Sequence, residues 1–494
     1  RVSLAPQPAA SPCRPATLLD TLAPRAKGRR ARTAALTPDP IPTLDLLIRS
    51  ARLDDRTVDL AVEGGRITSI TDAAGAVERD PAPAGETGRP ADGHSGTGPP
   101  RRTIDATGLH LAPALHNGHT HAAMTLFRGW GDDMPLMRWL EERIWPAEAR
   151  MTEEDVYRGT RLAILEMIRS GTTHFNDMYW HAPAIARAAY ELGVRAHVGA
   201  AFVDLGSEAV GARWRTAVEA WLEQRDAWGP GVRATIAPHA IYTVSTANLE
   251  WLGRLARDHE LLFHIHLSET RGEVEACVAA HGVRPARLLD RLGLVDDRLI
   301  AAHCVYLDPA EHELLGGAGA AIVTNPAANL KLATGGIFDY TAARAAGTRV
   351  ILGTDGVASN NNLDLFEEMK LAALLQKHRA EDATALPASE AFAMTTSTPA
   401  EVFGVGGGRI EVGEPADLLL LDLSGPETRP GHDLASDLVY AANGSVVDTT
   451  ICAGRVLMHG RRVEVADTEE IVAAAIDSAA RRTANAPPVP PPGR

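Results

Sequence analysis

Cysteine and lysine are both scarce in this chain of 494 residues. The four cysteines lie far apart and form no CxxC pair, which excludes a disulfide framework and a zinc knuckle built on cysteines. Disulfides mark oxidising compartments, so we expect a reducing, cytoplasmic location. The lysines are Lys27, Lys331, Lys370 and Lys377.

Positive charge and long apolar runs are lacking as well. Lys and Arg number 49 against 63 Asp and Glu, a net charge of −14, which repels a phosphate backbone and argues against a nucleic-acid partner. No stretch approaches the roughly 18 consecutive apolar residues of a transmembrane helix, so no membrane partner is expected. Hydrophobic residues at 45% and charged residues at 23% are ordinary for a globular protein with a sizeable core.

Three segments lack the composition of a packed core. Residues 1–42 are rich in Ala and Pro without the apolar run of a secretory signal, and we expect a disordered N-terminal extension. Residues 73–102 combine Pro and Gly with almost no aliphatic residue, which predicts a flexible insertion. The proline-rich tail, 483–494, is expected to be disordered.

Short β-rich runs with turn residues between them occur near both ends of the chain. The early runs are 44–48, 58–62 and 66–70, and the late runs are 416–422, 446–452, 455–458 and 462–465. They predict a small composite β-sheet domain built from residues 43–112 and 400–470.

Between residues 113 and 399 the pattern changes to apolar strands that alternate with amphipathic helices. One helix is expected to begin after Thr152, a good N-cap, and to stop at Gly171. The predicted strands are 115–121, 172–176, 194–202, 232–237, 261–267, 299–303, 320–324 and 349–353. Eight such units over this length predict an α/β fold, a (β/α)8 TIM barrel that carries the catalytic site.

Histidines and a carboxylate occupy the ends of several predicted strands. His119 and His121 alternate along the first strand and therefore face the same way. His266 ends the fifth strand and Asp355 follows the eighth, and catalytic residues of such barrels lie at these carboxyl ends. Together they indicate an open, catalytic metal site, whereas the HxH pair alone could be two ordinary polar histidines.

Other titratable residues lie near the same mouth. Glu269 follows His266 by three residues and is placed to carry a proton from water to a substrate nitrogen; a loop salt bridge is the alternative. His303 ends the sixth strand and could orient the attacking water. His264 should be an interior histidine one layer deeper, and His116 should point away from the site.

Longer segments carry a family resemblance. They read LHNGHTHAAMTLFRGWGDDMPLMRWLEERIW (115–145), APHAIYTVS (237–245), HIHLSET (264–270), AAHCVYL (301–307), NPAANLKLATG (325–335) and LGTDGVASNNNLDLFEEM (352–369). The chain resembles the amidohydrolase superfamily and, within it, the 5′-methylthioadenosine/S-adenosylhomocysteine deaminases. The resemblance implies that one divalent ion, Zn²⁺ or alternatively Fe²⁺, is bound by His119, His121, His266 and Asp355.

The resemblance also implies roles for the remaining site residues. Glu269 would be the proton shuttle, and His303 would orient water together with Asp355. His239 would hydrogen-bond the purine and Glu148 the ribose hydroxyls. Trp139 would form an aromatic wall of the substrate site. A plain helix-start carboxylate at Glu148 and a helix core position at Trp139 are the alternatives.

The function implied is hydrolytic deamination of an adenosine-type nucleoside: 5′-methylthioadenosine, S-adenosylhomocysteine, 5′-deoxyadenosine or adenosine, giving the inosine analogue and ammonia. One departure puts S-adenosylhomocysteine in doubt as a substrate. Residues 198–202 read VGAAF where the family pattern has an Arg that contacts the carboxylate of S-adenosylhomocysteine; Arg213 or Arg215 could substitute.

Two alternative functions, the number of metal ions and the oligomeric state have to be considered beside this function. A deaminase or chlorohydrolase of another aminoazine, such as guanine or a triazine, is the alternative, and a catalytically inactive scaffold is the third reading. Binuclear relatives use a carboxylated barrel Lys, and its absence between Lys27 and Lys331 favours one ion. A homo-oligomer is left open.

Overall fold

The computed structural model describes residues 46–73, 100–134 and 136–483. The expected N-terminal extension, positions 74–99 of the expected insertion and the tail from residue 484 lie outside the described residues. The first five strands are β1 (Leu46–Leu53), β2 (Arg56–Glu63), β3 (Arg66–Asp72), β4 (Arg102–Asp105) and β5 (His110–Pro113).

Parallel strands then form the barrel. They are β6 (Leu115–His121), β7 (Thr172–Tyr179), β8 (Arg195–Phe202), β9 (Val232–Pro238), β10 (Leu262–Leu267), β11 (Leu299–His303), β12 (Ala321–Thr324), β13 (Arg349–Leu352) and β14 (Asp355–Gly356). β13 pairs with β12, and β14 pairs with β6. Only two residues separate β13 from β14, so these are two parts of the eighth strand. This strand closes the barrel between the seventh strand, β12, and the first, β6. The predicted eight-stranded barrel is confirmed.

Helices cover the outside of the barrel, and several short helices lie within its loops. They are α1 (Leu136–Trp139), α2 (Trp145–Glu148), α3 (Glu153–Arg169), α4 (Ala182–Leu192), α5 (Glu208–Gln224), α6 (Thr246–Asp258), α7 (Arg271–His281), α8 (Pro285–Arg291), α9 (Pro309–Gly317), α10 (Pro326–Lys331), α11 (Tyr340–Ala345), α12 (Val357–Asn360), α13 (Leu365–Ala380), α14 (Ala388–Ala393), α15 (Ser397–Val402), α16 (Leu434–Ser436) and α17 (Thr468–Thr483). Within the described ranges, no helix combines the length and the apolar character needed to cross a membrane.

The last four strands are β15 (Leu418–Leu421), β16 (Val447–Cys452), β17 (Arg455–His459) and β18 (Arg462–Val463). They join the first five in a mixed sheet of order β18-β17-β16-β15-β5-β1-β2-β3, with β4 also paired to β1. A composite sheet from both ends of the chain is therefore confirmed, and its apolar residues form a core of their own.

The helix expected after Thr152 is α3, and its start shows why it forms. The Thr152 hydroxyl accepts from the Asp155 backbone N–H at 3.3 Å, while the Asp155 carboxylate accepts from the Thr152 N–H at 2.9 Å. This reciprocal capping box satisfies two amides that the first helical turn leaves free.

Helix α17, which we did not expect, packs along α3. The two helices are joined by ion pairs between Arg482 and Asp155 at 2.7 Å and between Arg161 and Glu470 at 2.8 Å. Asp467 begins the helix by accepting from the Glu469 N–H at 2.9 Å. The helix signals, an N-cap Asp followed by acidic residues and alanines, are thus present in the sequence.

Candidate active site

Four potential metal ligands meet at the carboxyl end of the barrel. His119 and His121 come from β6, His266 from β10 and Asp355 from β14, and their ligand atoms all lie within 4.8 Å of one another. Asp355 Oδ1 is 3.2 Å from His119 Nε2 and 3.1 Å from His121 Nε2. Nε2 of His266 is 3.3 Å from Nε2 of His121.

Gly118 allows β6 to approach the eighth strand closely. A Cβ atom at this position would lie 2.8 Å from Ile351 Cδ1 and 2.9 Å from the Leu352 carbonyl oxygen. Only glycine fits at this distance directly before His119, and this close approach brings Asp355 to the histidines of β6.

Nδ1, the ring nitrogen that points away from the four-ligand cluster, has a polar partner in each of the three histidines. Nδ1 of His121 donates to the Met178 carbonyl oxygen at 2.6 Å, and Nδ1 of His266 donates to the His239 carbonyl oxygen at 2.7 Å. Nδ1 of His119 lies 2.9 Å from Nε2 of His264. Partners of this kind fix the ring and leave Nε2 for the metal.

The electrostatics of His119 and Asp355 suit a cation. Burial lowers the pKa of His119 to about 4, so its ring is neutral, the form that binds metal. Burial alone would raise the pKa of Asp355, but hydrogen bonds from His119 and His121 hold it well below its ordinary value. Three imidazoles and one carboxylate make a donor set that fits one divalent transition-metal ion.

Glu269 and His303 lie beside these donors, at the ends of β10 and β11. Their nearest atoms, Glu269 Oε1 and His303 Nδ1, are 3.9 Å apart. Asn329 fixes the His303 ring by accepting from Nδ1 at 2.9 Å. Burial raises the pKa of Glu269 above its ordinary value, so the carboxyl group holds a proton more readily than an exposed glutamate does.

Glu148 is buried at the end of α2, on the side of the site that faces β7. The Tyr179 hydroxyl donates to Glu148 Oε1 at 2.7 Å, and the Tyr179 ring is 6.2 Å from that of His121. Burial raises the pKa of Glu148 to about 7. A carboxylate in this place can accept hydrogen bonds from ligand hydroxyl groups.

His239 and Trp139 are the two remaining candidates for substrate contact. The His239 ring lies 4.7 Å from that of His266, and its Nδ1 is 3.0 Å from Thr243 Oγ1, which leaves Nε2 for a ligand. Trp139 is buried in the hydrophobic core of the barrel. Its role as an aromatic wall stays a prediction.

Four further histidines are interior residues of the barrel. His264 joins His119 to Asn176, whose Nδ2 is 3.1 Å from His264 Nδ1. Deeper in the barrel, the ring of His174 is 5.4 Å from that of His116 and 5.2 Å from that of His197. All four are buried, so none of them is a surface residue.

Several polar residues of the site were not anticipated from the sequence. Asn329 and Tyr179 orient His303 and Glu148, as described above. Ser359 donates to Asp355 Oδ2 at 2.7 Å, and Asp177 accepts from the Ala122 N–H at 2.7 Å. Each lies on or directly after a barrel strand or on the helix that follows, which is the one signal that could have found them.

The end of β8 has no basic side chain: Ala200, Ala201 and Phe202 occupy it. Arg215 lies on the following helix, where its guanidinium pairs with Glu208 and donates to Asn248 Oδ1 at 2.7 Å. Arg213 is exposed on the same helix. Arg215 is therefore already engaged by Glu208 and Asn248.

Comparison with known proteins places this site in a family. The model of the amidohydrolase family matches residues 111–457. A 5′-deoxyadenosine deaminase of Methanoregula boonei is 51% identical over 379 residues, 76% of this chain and 85% of the relative. A 5-methylthioadenosine/S-adenosylhomocysteine deaminase of Archaeoglobus fulgidus is 45% identical over 360 residues, 72% of this chain and 84% of the relative.

Solved structures are similar over a longer stretch. An adenosine deaminase from Xanthomonas campestris with bound zinc has a TM-score of 0.78 and 39% identity, covering 89% of this chain and 98% of its own. An atrazine chlorohydrolase from Arthrobacter aurescens complexed with zinc has a TM-score of 0.75 at 24% identity, covering 88% and 100%, which shows a shared fold alone. The extent of the family match and the identity to these deaminases lead to one conclusion: the chain belongs to the amidohydrolase family.

Proposed function

We propose that this protein is a metal-dependent deaminase that hydrolyses the 6-amino group of adenosine-type nucleosides and releases ammonia and the inosine analogue. The observation that carries the proposal is the buried carboxyl group of Glu269 beside the convergent donors of His119, His121, His266 and Asp355. The deaminase names of relatives at 45–51% identity support the same reaction.

The ion proposed is one Zn²⁺ per chain, with Fe²⁺ as the alternative. The three imidazoles and one carboxylate suit zinc, and the Xanthomonas deaminase holds zinc. When bound, such an ion supplies Lewis-acid activation of a water molecule.

Glu269 moves the proton in the proposed reaction. Its carboxylate takes a proton from the attacking water and gives it to the ring nitrogen next to the amine-bearing carbon, as the water oxygen bonds to that carbon. A second transfer then moves the remaining proton of the carbon-bound hydroxyl group to the amino group. The carbon–nitrogen bond breaks as the carbonyl group forms, so water and nucleoside become the inosine analogue and ammonia. A raised pKa suits Glu269 to both transfers, and such proton transfer contributes roughly 10²- to 10⁴-fold in rate.

The nucleoside is proposed to bind between His239 and Glu148. Nε2 of His239 hydrogen-bonds the purine, and Glu148, held by Tyr179, accepts from the ribose hydroxyls. His303, held by Asn329, orients the water. Since Ala200 and Ala201 end β8, we expect 5′-deoxyadenosine and 5′-methylthioadenosine to be better substrates than S-adenosylhomocysteine.

Ammonia release tests the proposal. Protein with one bound metal per chain is given 5′-deoxyadenosine, 5′-methylthioadenosine, S-adenosylhomocysteine, adenosine and guanine in parallel. We expect turnover of the adenosines that falls at least about 100-fold in Glu269→Gln and that disappears with chelation. Turnover of guanine alone, or of none of the five, would contradict the proposal.

A further inference from the structure

The carboxylate of Glu273 lies beneath the turn that carries Glu269. Its Oε1 accepts from the Ser268 N–H and its Oε2 from the Glu269 N–H, both at 2.8 Å. The Glu273 residue is buried on the first turn of α7. We propose that Glu273 is a positioning residue for the proton transfer by Glu269, an inference that rests on the proposed function.

The beginning of α7 departs from an ordinary capping box in the way this role requires. Thr270 and Glu273 have the T-x-x-E spacing in which the acid accepts from the N-cap amide, and Asp155 and Glu311 do so at the starts of α3 and α9. At α7 the Thr270 hydroxyl accepts from the Glu273 N–H at 3.1 Å. The Glu273 carboxylate, however, reaches past Thr270 to the two preceding amides.

The turn that Glu273 holds is a strained one. Ser268 has φ of 51°, in the left-handed region, which costs a non-glycine residue about 1–3 kcal/mol. The Ser268 carbonyl oxygen accepts from the Tyr306 N–H at 2.9 Å, so the residue is held on both sides.

Hydrogen bonds to the amides of Ser268 and Glu269 fix the peptide planes that precede the Glu269 side chain, and with them the direction in which its carboxyl group points. Burying a carboxylate costs free energy unless its oxygens are hydrogen-bonded. Burial raises the pKa of Glu273 to about 7. Both of its oxygens accept hydrogen bonds from the turn itself, which ties the carboxyl group to this one backbone geometry.

Glu273→Gln is the variant that tests the role. An amide offers one acceptor oxygen and turns an NH₂ group toward the second N–H, so the turn loses one of its two bonds. We expect kcat to fall roughly 10- to 100-fold, as for a small displacement of a reacting group. KM should stay within about threefold and metal content at one per chain. Glu275→Gln, exposed on the same helix, is the matched control and should leave kcat unchanged.

A double-mutant cycle separates positioning from general stability. If Glu273 acts through Glu269, then Glu273→Gln should cost nothing further in the Glu269→Gln background. An equal loss in both backgrounds, or an unchanged kcat in the single variant, would overturn the inference.

Amide hydrogen exchange gives a readout that does not need turnover. The amides of Ser268 and Glu269 should exchange slowly in the wild type and at least about tenfold faster in Glu273→Gln. Unchanged exchange overturns the role of Glu273 whatever the wild type turns over. A wild type that releases no ammonia from any adenosine, with these amides protected as expected, overturns the proposed function instead.

Discussion

Asp155→Asn should weaken the attachment of the C-terminal helix to the barrel. The Asp155 side chain is 1% exposed and accepts from the Thr152 N–H at 2.9 Å, from the Thr152 hydroxyl at 2.6 Å and from Arg482 Nε at 2.7 Å. One carboxylate thus completes the cap of α3 and pairs with the end of α17. The asparagine keeps the size of the side chain and removes its charge.

The expected loss of stability follows from these contacts. Weakening a cap costs about 1 kcal/mol, and leaving one partner of a buried ion pair alone costs about 3–5 kcal/mol. Arg482 is 21% exposed, so water takes over part of its solvation and the second figure applies only in part. We expect a total of about 3 kcal/mol, which for a chain of this size lowers Tm by about 3 °C.

The pH dependence has a definite sign. Burial alone would raise the pKa of Asp155, but the hydrogen bonds from Thr152 and the charge of Arg482 outweigh it, so the pKa lies below its ordinary value of 3.8. A carboxyl group of lowered pKa stabilises the fold above its unfolded pKa, and this contribution is lost as pH falls through the folded pKa. The stability difference between wild type and Asp155→Asn should therefore be full at pH 7 and shrink below about pH 4.

Urea unfolding followed by circular dichroism at pH 7, 5 and 3 measures this difference. Glu153→Gln, an exposed carboxylate in the same helical turn, is the control and should stay within about 0.5 kcal/mol of the wild type. A difference under about 1 kcal/mol at pH 7, or one that is undiminished at pH 3, would refute the reasoning.

Two further predictions concern residues around the mouth of the barrel. Lys331 Nζ, at the end of α10, donates to Asp132 Oδ1 at 2.6 Å and to the Ala358 carbonyl oxygen of α12 at 3.1 Å. In steady-state assays, Lys331→Met should raise KM about tenfold with kcat within about threefold. Lys370→Met, at an exposed position, is the control and should change neither constant. Equal effects of the two substitutions would argue against a role for the Lys331 hydrogen bonds. Tyr179→Phe removes the donor to Glu148, and hydrogen bonds to charged groups are worth about 1.5–3 kcal/mol, so kcat/KM for nucleosides should fall at least about tenfold; an unchanged value would separate Tyr179 from substrate binding.

The positions of the barrel strands could be predicted from short β-rich runs, several of which end in a polar residue. The strand predicted at 299–303 and β11 have the same bounds, and the strand predicted at 115–121 is β6. Potential metal ligands lie at the ends of predicted strands, so the strand pattern also indicated His119, His121, His266 and Asp355 as one group. The structure brings all four together.

Contacts between different loops could not be predicted in the same way. Asn329 reaches His303 across 26 positions of sequence and Tyr179 reaches Glu148 across 31, and the packing of neighbouring barrel units, not local pattern, sets both distances. Helix α17 is different, because its N-cap and alanine-rich turns are visible in the sequence. It was missed because the β-rich pattern of the composite sheet runs up to its start.

The strained residues at the strand ends explain why the site needs so many supporting contacts. Ser268, His303 and Asp355 all have left-handed φ values, of 51°, 70° and 58°. Glycine would remove the strain at each position, but the ring of His303 and the carboxylate of Asp355 are what the chemistry uses, so the strain remains.

Each of these three residues is held by a polar neighbour from its own or the next barrel unit: Ser268 by Glu273, His303 by Asn329 and Asp355 by Ser359. The backbone geometry that aims the reacting groups is unfavourable on its own, and a hydrogen bond at each position offsets part of that cost. Residues that contact no ligand therefore help to fix the direction of the reacting groups at these strained strand ends.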